Sequence, residues 1–443
     1  MFLPKRRLLV AATLSAAFLT ACGGGGGSSA SAPEGLEAVA GDGQIFVKWV
    51  QVPGVQYWLW FKEGAVVGVG DKNAIAKVGS SGSGIDSPYL LNLVRTNTTL
   101  TNGTQYALAM NGRKDGGEGG PGASPIGGPV TPRPAGATWN AAAPTPFGSA
   151  TMNGVAYGRS IGSTARFSYV AVGDGGVVYN TDDTDLDRIY RSTSTLKWIT
   201  PTGTKPAASI DLKAVVYDAS LGTYYAVGNN GSVAYSADIN NWTTLDSTAT
   251  GTTETFNAIA SSGGTLVAVG NKGTLRYSTN GTTWTTPASI NADISAIDLK
   301  GVTYANGLWV AVGSNGKVLT STAVGSWEVS TQSGDLTAVA SGSHTANGTT
   351  TYYYLAVGAD GTLLTRSDTS TTWTTANVGS ALRTAAVGSR LIALGDNGAA
   401  WYRELDGTTW TAATGASGTM LGMIRAQNIY TAVGAAGASN HSY

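Results

Sequence analysis

The clearest regularity in the chain is a series of short apolar, β-branched runs cut at even intervals by glycine-bearing polar turns. Residues 256–287, FNAIASSGGTLVAVGNKGTLRYSTNGTTWTTP, contain one complete unit. Alternation over 256–260, an apolar run over 265–269, renewed alternation over 274–278 and a last segment at 283–286 predict four strands. The breaks are Ser-Ser-Gly-Gly, Gly-Asn-Lys-Gly and Thr-Asn-Gly. They are turn chemistry, because glycine accepts positive φ and asparagine bonds its own backbone.

The unit recurs. Ala-Val-Gly or a variant closes at Gly173, Gly228, Gly270, Gly313, Gly358, Gly395 and Gly434, and a second glycine follows three residues later each time. A period of roughly 40–45 residues with four strands per unit is the pattern of propeller blades. The second glycine is expected in the left-handed region of a tight hairpin. Trp198, Trp242, Trp284, Trp327, Trp373 and Trp410 follow six of the hairpins, whereas the last unit stops at Tyr443 before its fourth strand. Residues 137–140 carry the missing tryptophan, Trp139. An N-terminal strand is therefore expected to complete the C-terminal blade, which removes open edges. The tryptophans are expected between blades, as packing. The fold class expected for 134–443 is an all-β, seven-bladed propeller.

Residues 33–133 form a separate β unit. Ile45, Val47 and Trp49 alternate on one face, as do Tyr57, Leu59 and Phe61. Pro33, Leu36, Trp49, Tyr57, the Leu100, Thr104 and Tyr106 corner and Thr131-Pro132 occur in the order of a fibronectin type III domain, which this stretch resembles. The resemblance implies an immunoglobulin-like sandwich with Trp49 and Tyr106 in structural roles. Trp58 and Trp60 lie on the opposite face of their strand. They either form an aromatic platform for a sugar or protein or cover a neighbouring surface. A Gly/Pro-rich linker follows at 116–134.

At the N-terminus, Lys5, Arg6 and Arg7 precede a short apolar run over 8–19, which ends in Leu19-Thr20-Ala21-Cys22 before Gly23–Gly27. That run is too short for a spanning helix. The pattern resembles a bacterial lipoprotein signal, which implies cleavage after residue 21 and lipidation of Cys22, the only cysteine. Residues 22–32 then form a Gly/Ser tether. Gly23, in place of aspartate, resembles the outer-membrane sorting pattern of Gram-negative lipoproteins. The expected address is that membrane, with the protein facing the periplasm or the outside.

Ser278-Thr-Asn280-Gly281-Thr-Thr-Trp284 resembles the Asp-box (BNR) turn of sialidase-like propellers, one residue short, with partial copies at Ser236-Ala-Asp238 and Asp406-Gly407. Such turns are structural. The whole repeat resembles propellers of the photosystem II assembly/stability factor type. That resemblance implies fold, since such repeats serve many roles.

Charge refines this picture. Charged residues make up 12% of the chain, with 27 basic and 27 acidic side chains, against about 25% charged in an average domain. That balance gives no reason to expect a nucleic-acid partner. Two histidines and one cysteine argue against a Cys/His metal site, and no cofactor is expected.

The long loops before each unit's first strand (201–211, 245–255, 287–298, 330–335, 376–381 and 412–419) mark the functional face. The second position of each first strand reads Asn153, Lys213, Asn257, Lys300, Thr337, Arg383 and Gly422. Around an axis these form a polar ring at the channel mouth. It would either receive a carboxylate, acidic peptide or anionic sugar, or merely solvate the channel with its cations paired to Asp211, Asp298 and Asp335. Glu254, Glu328 and Glu404 do not assemble a glycosidase acid/base pair, and His344 and His441 read as loop or tail residues. The expected function is a non-catalytic, lipid-anchored binding or assembly scaffold for a protein or exported assembly. The alternative is a glycan-binding surface protein, either a lectin or a degenerate glycosidase.

Overall fold

The computed structural model describes residues 29–77, 84–95, 98–114, 119–142, 145–161, 166–181, 196–346 and 348–443. The signal-like segment 1–21 and Cys22 lie outside these residues. Where the chain is described, its regular secondary structure is almost entirely strand.

From residue 152 onward the strands form a succession of antiparallel sheets, numbered I to VII here. Their first strands are Met152–Arg159, Leu212–Asp218, Phe256–Ser262, Leu299–Ala305, Leu336–Ala346, Leu382–Val387 and Met420–Ala426. Each first strand contacts the next in chain order, and that of sheet VII returns to that of sheet I. The ring is completed by Asn140–Ala141, which pairs with Asn440 and His441 on the third strand of sheet VII. The expected N-terminal closing strand is therefore present.

Apolar side chains fill the wedges between sheets. Trp242 packs with Val172 of sheet I and Tyr224 of sheet II; Trp327 packs with Val267 of sheet III and Val302 of sheet IV. Trp139 does the same between sheets VI and VII, 6.3 Å from the Tyr430 ring. Trp327 is 1% exposed, and burying an aromatic of that size is a leading contribution to such a core.

The paired glycines have two different causes. Gly173, Gly228, Gly313 and Gly434 are extended, but a Cβ on them would lie 1.9–2.3 Å from the carbonyl that precedes their own sheet's first strand. Gly176, Gly231, Gly273, Gly316, Gly361, Gly398 and Gly437 have φ between 64° and 85°, the left-handed region expected for them. The N–H groups of Gly176, Gly231, Gly273, Gly398 and Gly437 also stitch the ring: Gly176 donates to Ile210 O at 2.6 Å, and Gly437 donates to Ala150 O at 2.8 Å, from sheet VII to the loop entering sheet I.

Three local expectations change. The fourth strand of sheet III shrinks to a single bridge, Tyr277 with Thr285. Asn280 accepts the Thr282 and Thr283 N–H groups and holds the chain in a turn, and Ser289–Ile290 then pairs with sheet IV. His344 lies on a strand, at the exposed end of the long hairpin of sheet V. His441 is not a tail residue: it is 7% exposed inside the third strand of sheet VII.

Before the ring, Glu37–Gly41, Gln44–Lys48 and Tyr89–Leu91 form one sheet, and Ile75–Lys77, Val55–Glu63 and Tyr106–Lys114 form a second. Leu36, Trp49, Tyr57 and Tyr106 are buried in one cluster between them, and Tyr106 Oη accepts the Thr101 N–H at 3.1 Å. This sandwich docks on the ring through its Gly41–Gln44 turn. Asp42, 3% exposed, accepts from Asn102, Ser389 and Arg425, and its backbone carbonyl accepts from Asn428. Phe46 is buried against the cluster between sheets VII and I. Ser389 and Asn428 lie in turns between first and second strands, so the docked face is opposite the channel mouth.

Candidate functional site

Each of the seven first strands carries a register shift at its second residue: Met152/Gly154, Leu212/Ala214, Phe256/Ala258, Leu299/Gly301, Leu336/Ala338, Leu382/Thr384 and Met420/Gly422. A bulge leaves its extra residue out of the ladder and re-aims it. The re-aimed residues are Asn153, Lys213, Asn257, Lys300, Thr337, Arg383 and Leu421. Together with Asn271 and Asp298 they line a cavity of about 350 Å³ at the mouth, which leads into a channel of about 470 Å³. Six of the ring positions read from sequence are thus brought together. The seventh is Leu421 rather than Gly422: the bulge follows Met420, so the aligned unit begins one residue earlier.

The ring alternates. In sheets I, III and V the side chain reaches the next sheet's first residue: Asn153 Nδ2 donates to Leu212 O at 2.8 Å, Asn257 Nδ2 to Leu299 O at 2.9 Å and Thr337 Oγ1 to Leu382 O at 2.8 Å. These are staples between sheets. Sheets II, IV and VI carry the cations, and each has a carboxylate. Lys213 Nζ is 2.8 Å from Asp174 and 3.7 Å from Asp211. Lys300 Nζ donates to both oxygens of Asp335 at 3.0 Å. Arg383 grips Asp396 with Nε at 3.0 Å and Nη2 at 2.8 Å. Of the carboxylates expected beside the cations, Asp298 instead accepts the Lys272 N–H at 3.0 Å.

Electrostatics at the mouth follow from these pairs. The Asp396 carboxyl is held below its ordinary value, first by the Arg383 hydrogen bond. For Asp174 burial pushes upward most strongly, but the hydrogen bonds from Lys213 and Asn153 outweigh it and the net shift is downward. Asp174, Asp211, Asp298, Asp335 and Asp396 surround three cations, so the mouth is not the bare cationic ring that its second positions suggest. The partners Asp174 and Asp396 come from hairpins of sheets I and VI, distant in sequence from the loops that were expected to supply them. Only the polar residue that follows the closing glycine in five of the seven units (Asp174, Asn229, Asn271, Ser314 and Asp396) hinted at them.

The two sandwich tryptophans are packed by their own domain rather than forming a bare platform. Trp60 is half-buried, donates from Nε1 to Asn111 Oδ1 at 3.1 Å and lies against Val67, Val69 and Ala74. The Arg113 guanidinium sits 5.6 Å from the Trp58 ring centre. Glu254 pairs with Lys272 at 2.9 Å, and Glu404 pairs with Arg390. No group of three or more His, Cys, Asp or Glu side chains able to hold a metal lies among the described residues.

Radial sheets round a channel, stitched by paired-glycine hairpins, define a β-propeller. Solved structures with this fold are similar to the chain. The WD40 β-propeller domain of Doa1 has a TM-score of 0.51 at 9% identity, covering 69% of this chain and 97% of that one. YCF48 bound to D1 peptide has a TM-score of 0.50 at 15% identity, covering 68% and 94%. YCF48 from Cyanidioschyzon merolae has a TM-score of 0.48 at 15% identity, covering 69% and 98%. No protein-family model and no curated protein matches the chain.

Proposed function

We propose that this protein is a non-catalytic, lipid-anchored scaffold of the cell envelope whose channel mouth holds a segment of a protein partner. In this reading the ring is a seven-bladed propeller with Asp-box-like turns and the sandwich is a fibronectin type III-like spacer. Cys22 carries the lipid, and the address is the outer membrane of a Gram-negative cell.

One observation carries the reading: the sandwich occupies the face opposite the mouth, so the bulge-borne ring and its cavity stay open. The bulges point seven side chains at one place on a rigid frame, an arrangement suited to recognition. YCF48 is bound to D1 peptide in one similar structure, and a peptide is the occupant proposed here. Because every ring cation already has a carboxylate, a ligand is met by both signs of charge, which favours peptide over a simple anion.

The test is a titration of the purified protein with acidic, basic and neutral peptides and with oligosaccharides, repeated with Lys213, Lys300 and Arg383 changed to Ala. Affinity for one peptide class that is lost in the variant supports the reading. Equal affinity with and without the ring side chains overturns it, and tighter binding of oligosaccharides favours a lectin. Lipidation is read separately, from acyl-chain labelling that disappears in Cys22→Ser.

A further inference from the structure

We infer that the end of the sandwich farthest from the ring rests on a lipid surface, which turns the channel mouth away from the membrane. This rests on the lipid-anchor reading above and adds an interaction surface and an orientation to it.

The sandwich has two ends, and the backbone assigns residues to each. Gly41–Gln44 docks on the ring. From there Gln44–Lys48 runs away, so the loop 49–54 that follows lies at the distal end. Val55–Glu63 starts at that same end, where Val55 pairs with Lys114. The chain arrives there too: a Cβ on Gly120 would meet Ala30 O at 1.9 Å and one on Gly112 would meet Ala30 Cβ at 3.0 Å. Val50 N–H donates to Glu34 O at 2.9 Å.

This distal end exposes two valines among polar neighbours, with no contact among the described residues of the sandwich that requires them to be apolar. Val50 is 52% exposed and Val52 44%, followed by Pro53-Gly54 at the tip, with exposed Lys114 beside them. Between Cys22 and Ala30 lie residues 23–29, which reach on the order of 25 Å fully extended at about 3.5 Å each. A lipid on Cys22 therefore keeps the valine tip near the bilayer interface, where exposed apolar side chains gain by leaving water. The mouth lies at the far end of the ring's first strands, about 20 Å beyond the docked face, and is open to a partner in the surrounding compartment.

In the mature lipoprotein the Cys22 sulfur is blocked, so an introduced cysteine is the only free thiol. The experiment places a polarity-sensitive fluorophore on Val52→Cys or, as the mouth control, on Ser209→Cys. Each protein is carried in phosphatidylethanolamine–phosphatidylglycerol vesicles that contain a nitroxide-labelled lipid. The expected result is a blue shift and loss of emission at position 52, with position 209 unquenched. If Cys22 itself takes the thiol reagent in the parent protein, the anchor reading fails and this inference fails with it. If Cys22 is blocked yet position 52 stays unquenched, or position 209 is quenched equally, only the orientation is overturned.

Discussion

Sheets II and VII have the same architecture and are held by different chemistry. Sheet II is cut from one continuous stretch, Leu212–Asp218 to Thr243–Leu245, and its third strand offers Val233 and Ala234 to the core. Sheet VII takes its outer strand from Asn140–Ala141, and its third strand is Ser439, Asn440, His441 and Ser442, all buried. Here Ser442 Oγ accepts from the Gly136 N–H at 2.8 Å across 306 residues of chain, and Asn440 exchanges hydrogen bonds with Ser417. Within sheet II tight turns fix the register. At the seam no turn does so, and a slip of one residue would invert every side chain. Buried hydrogen bonds reject that slip, because a wrong register leaves them unpaired. Where chain connectivity supplies no register, polar chemistry supplies it instead.

The largest expected effects fall on the frame that all the sheets share, its paired glycines and its wedge tryptophans. Gly228→Ala and Gly434→Ala each drive a Cβ onto a backbone carbonyl, so each should destabilise by on the order of 3–4 kcal/mol, the upper range for one substitution. Urea denaturation checks this, and comparable losses at the two sites would show that the frame, unlike the seam, is uniform. Trp327→Ala should cost about 3–5 kcal/mol by the same measurement, as for other buried aromatics.

Asp42→Ala leaves Arg425 facing an empty position at the sandwich contact, and a loss of about 2–3 kcal/mol is expected since Arg425 keeps some solvent. Calorimetry should then resolve the sandwich from the ring; a single unsplit transition would show that the apolar contact of Phe46, Val39 and Leu90 and the remaining hydrogen bonds to backbone carbonyls suffice to hold them together. Asn440→Ala should cost about 1–3 kcal/mol through its orphaned partners. Hydrogen exchange should quicken at residues 140–141 and not in sheet II, and an even increase around the ring would erase the contrast between the seam and sheet II.

The smallest effect is on pH. Asp174, Asp238 and Asp396 all have carboxyls below the ordinary 3.8. A lowered folded-state value contributes stability above 3.8 that is lost as pH falls through the lower one. Stability should therefore be flat above that range and decline below it, and Asp396→Asn should shallow the decline.

Much of the frame was legible in the sequence. Ala-Val-Gly and the tryptophan count gave the number of repeats, and a surplus Trp139 beside a truncated last unit implied the closing strand. The bulge was invisible, since nothing in Leu-Lys-Ala-Val or Met-Leu-Gly-Met marks an extra residue. For that reason the seventh ring position was read as Gly422 rather than Leu421. The partners Asp174 and Asp396 were equally hidden, because which side chain a hairpin residue meets at the mouth is set by the bulge and the packing of sheets, not by local spacing. For Trp58 and Trp60 two readings stayed open for a related reason: strand alternation shows which face a residue is on, not what lies over it.

The bulge also keeps the exchangeable side chains of the mouth apart from the apolar wedges that hold the sheets together. Lys213, Lys300 and Arg383 sit outside the ladder, make no bond to a neighbouring sheet's backbone, and are held only by carboxylates at the rim. Exchanging them leaves the wedges of Trp, Val and Leu untouched. Under the proposed function such a mouth is a socket with replaceable contacts, and related chains with different partners are then expected to diverge first at these three positions.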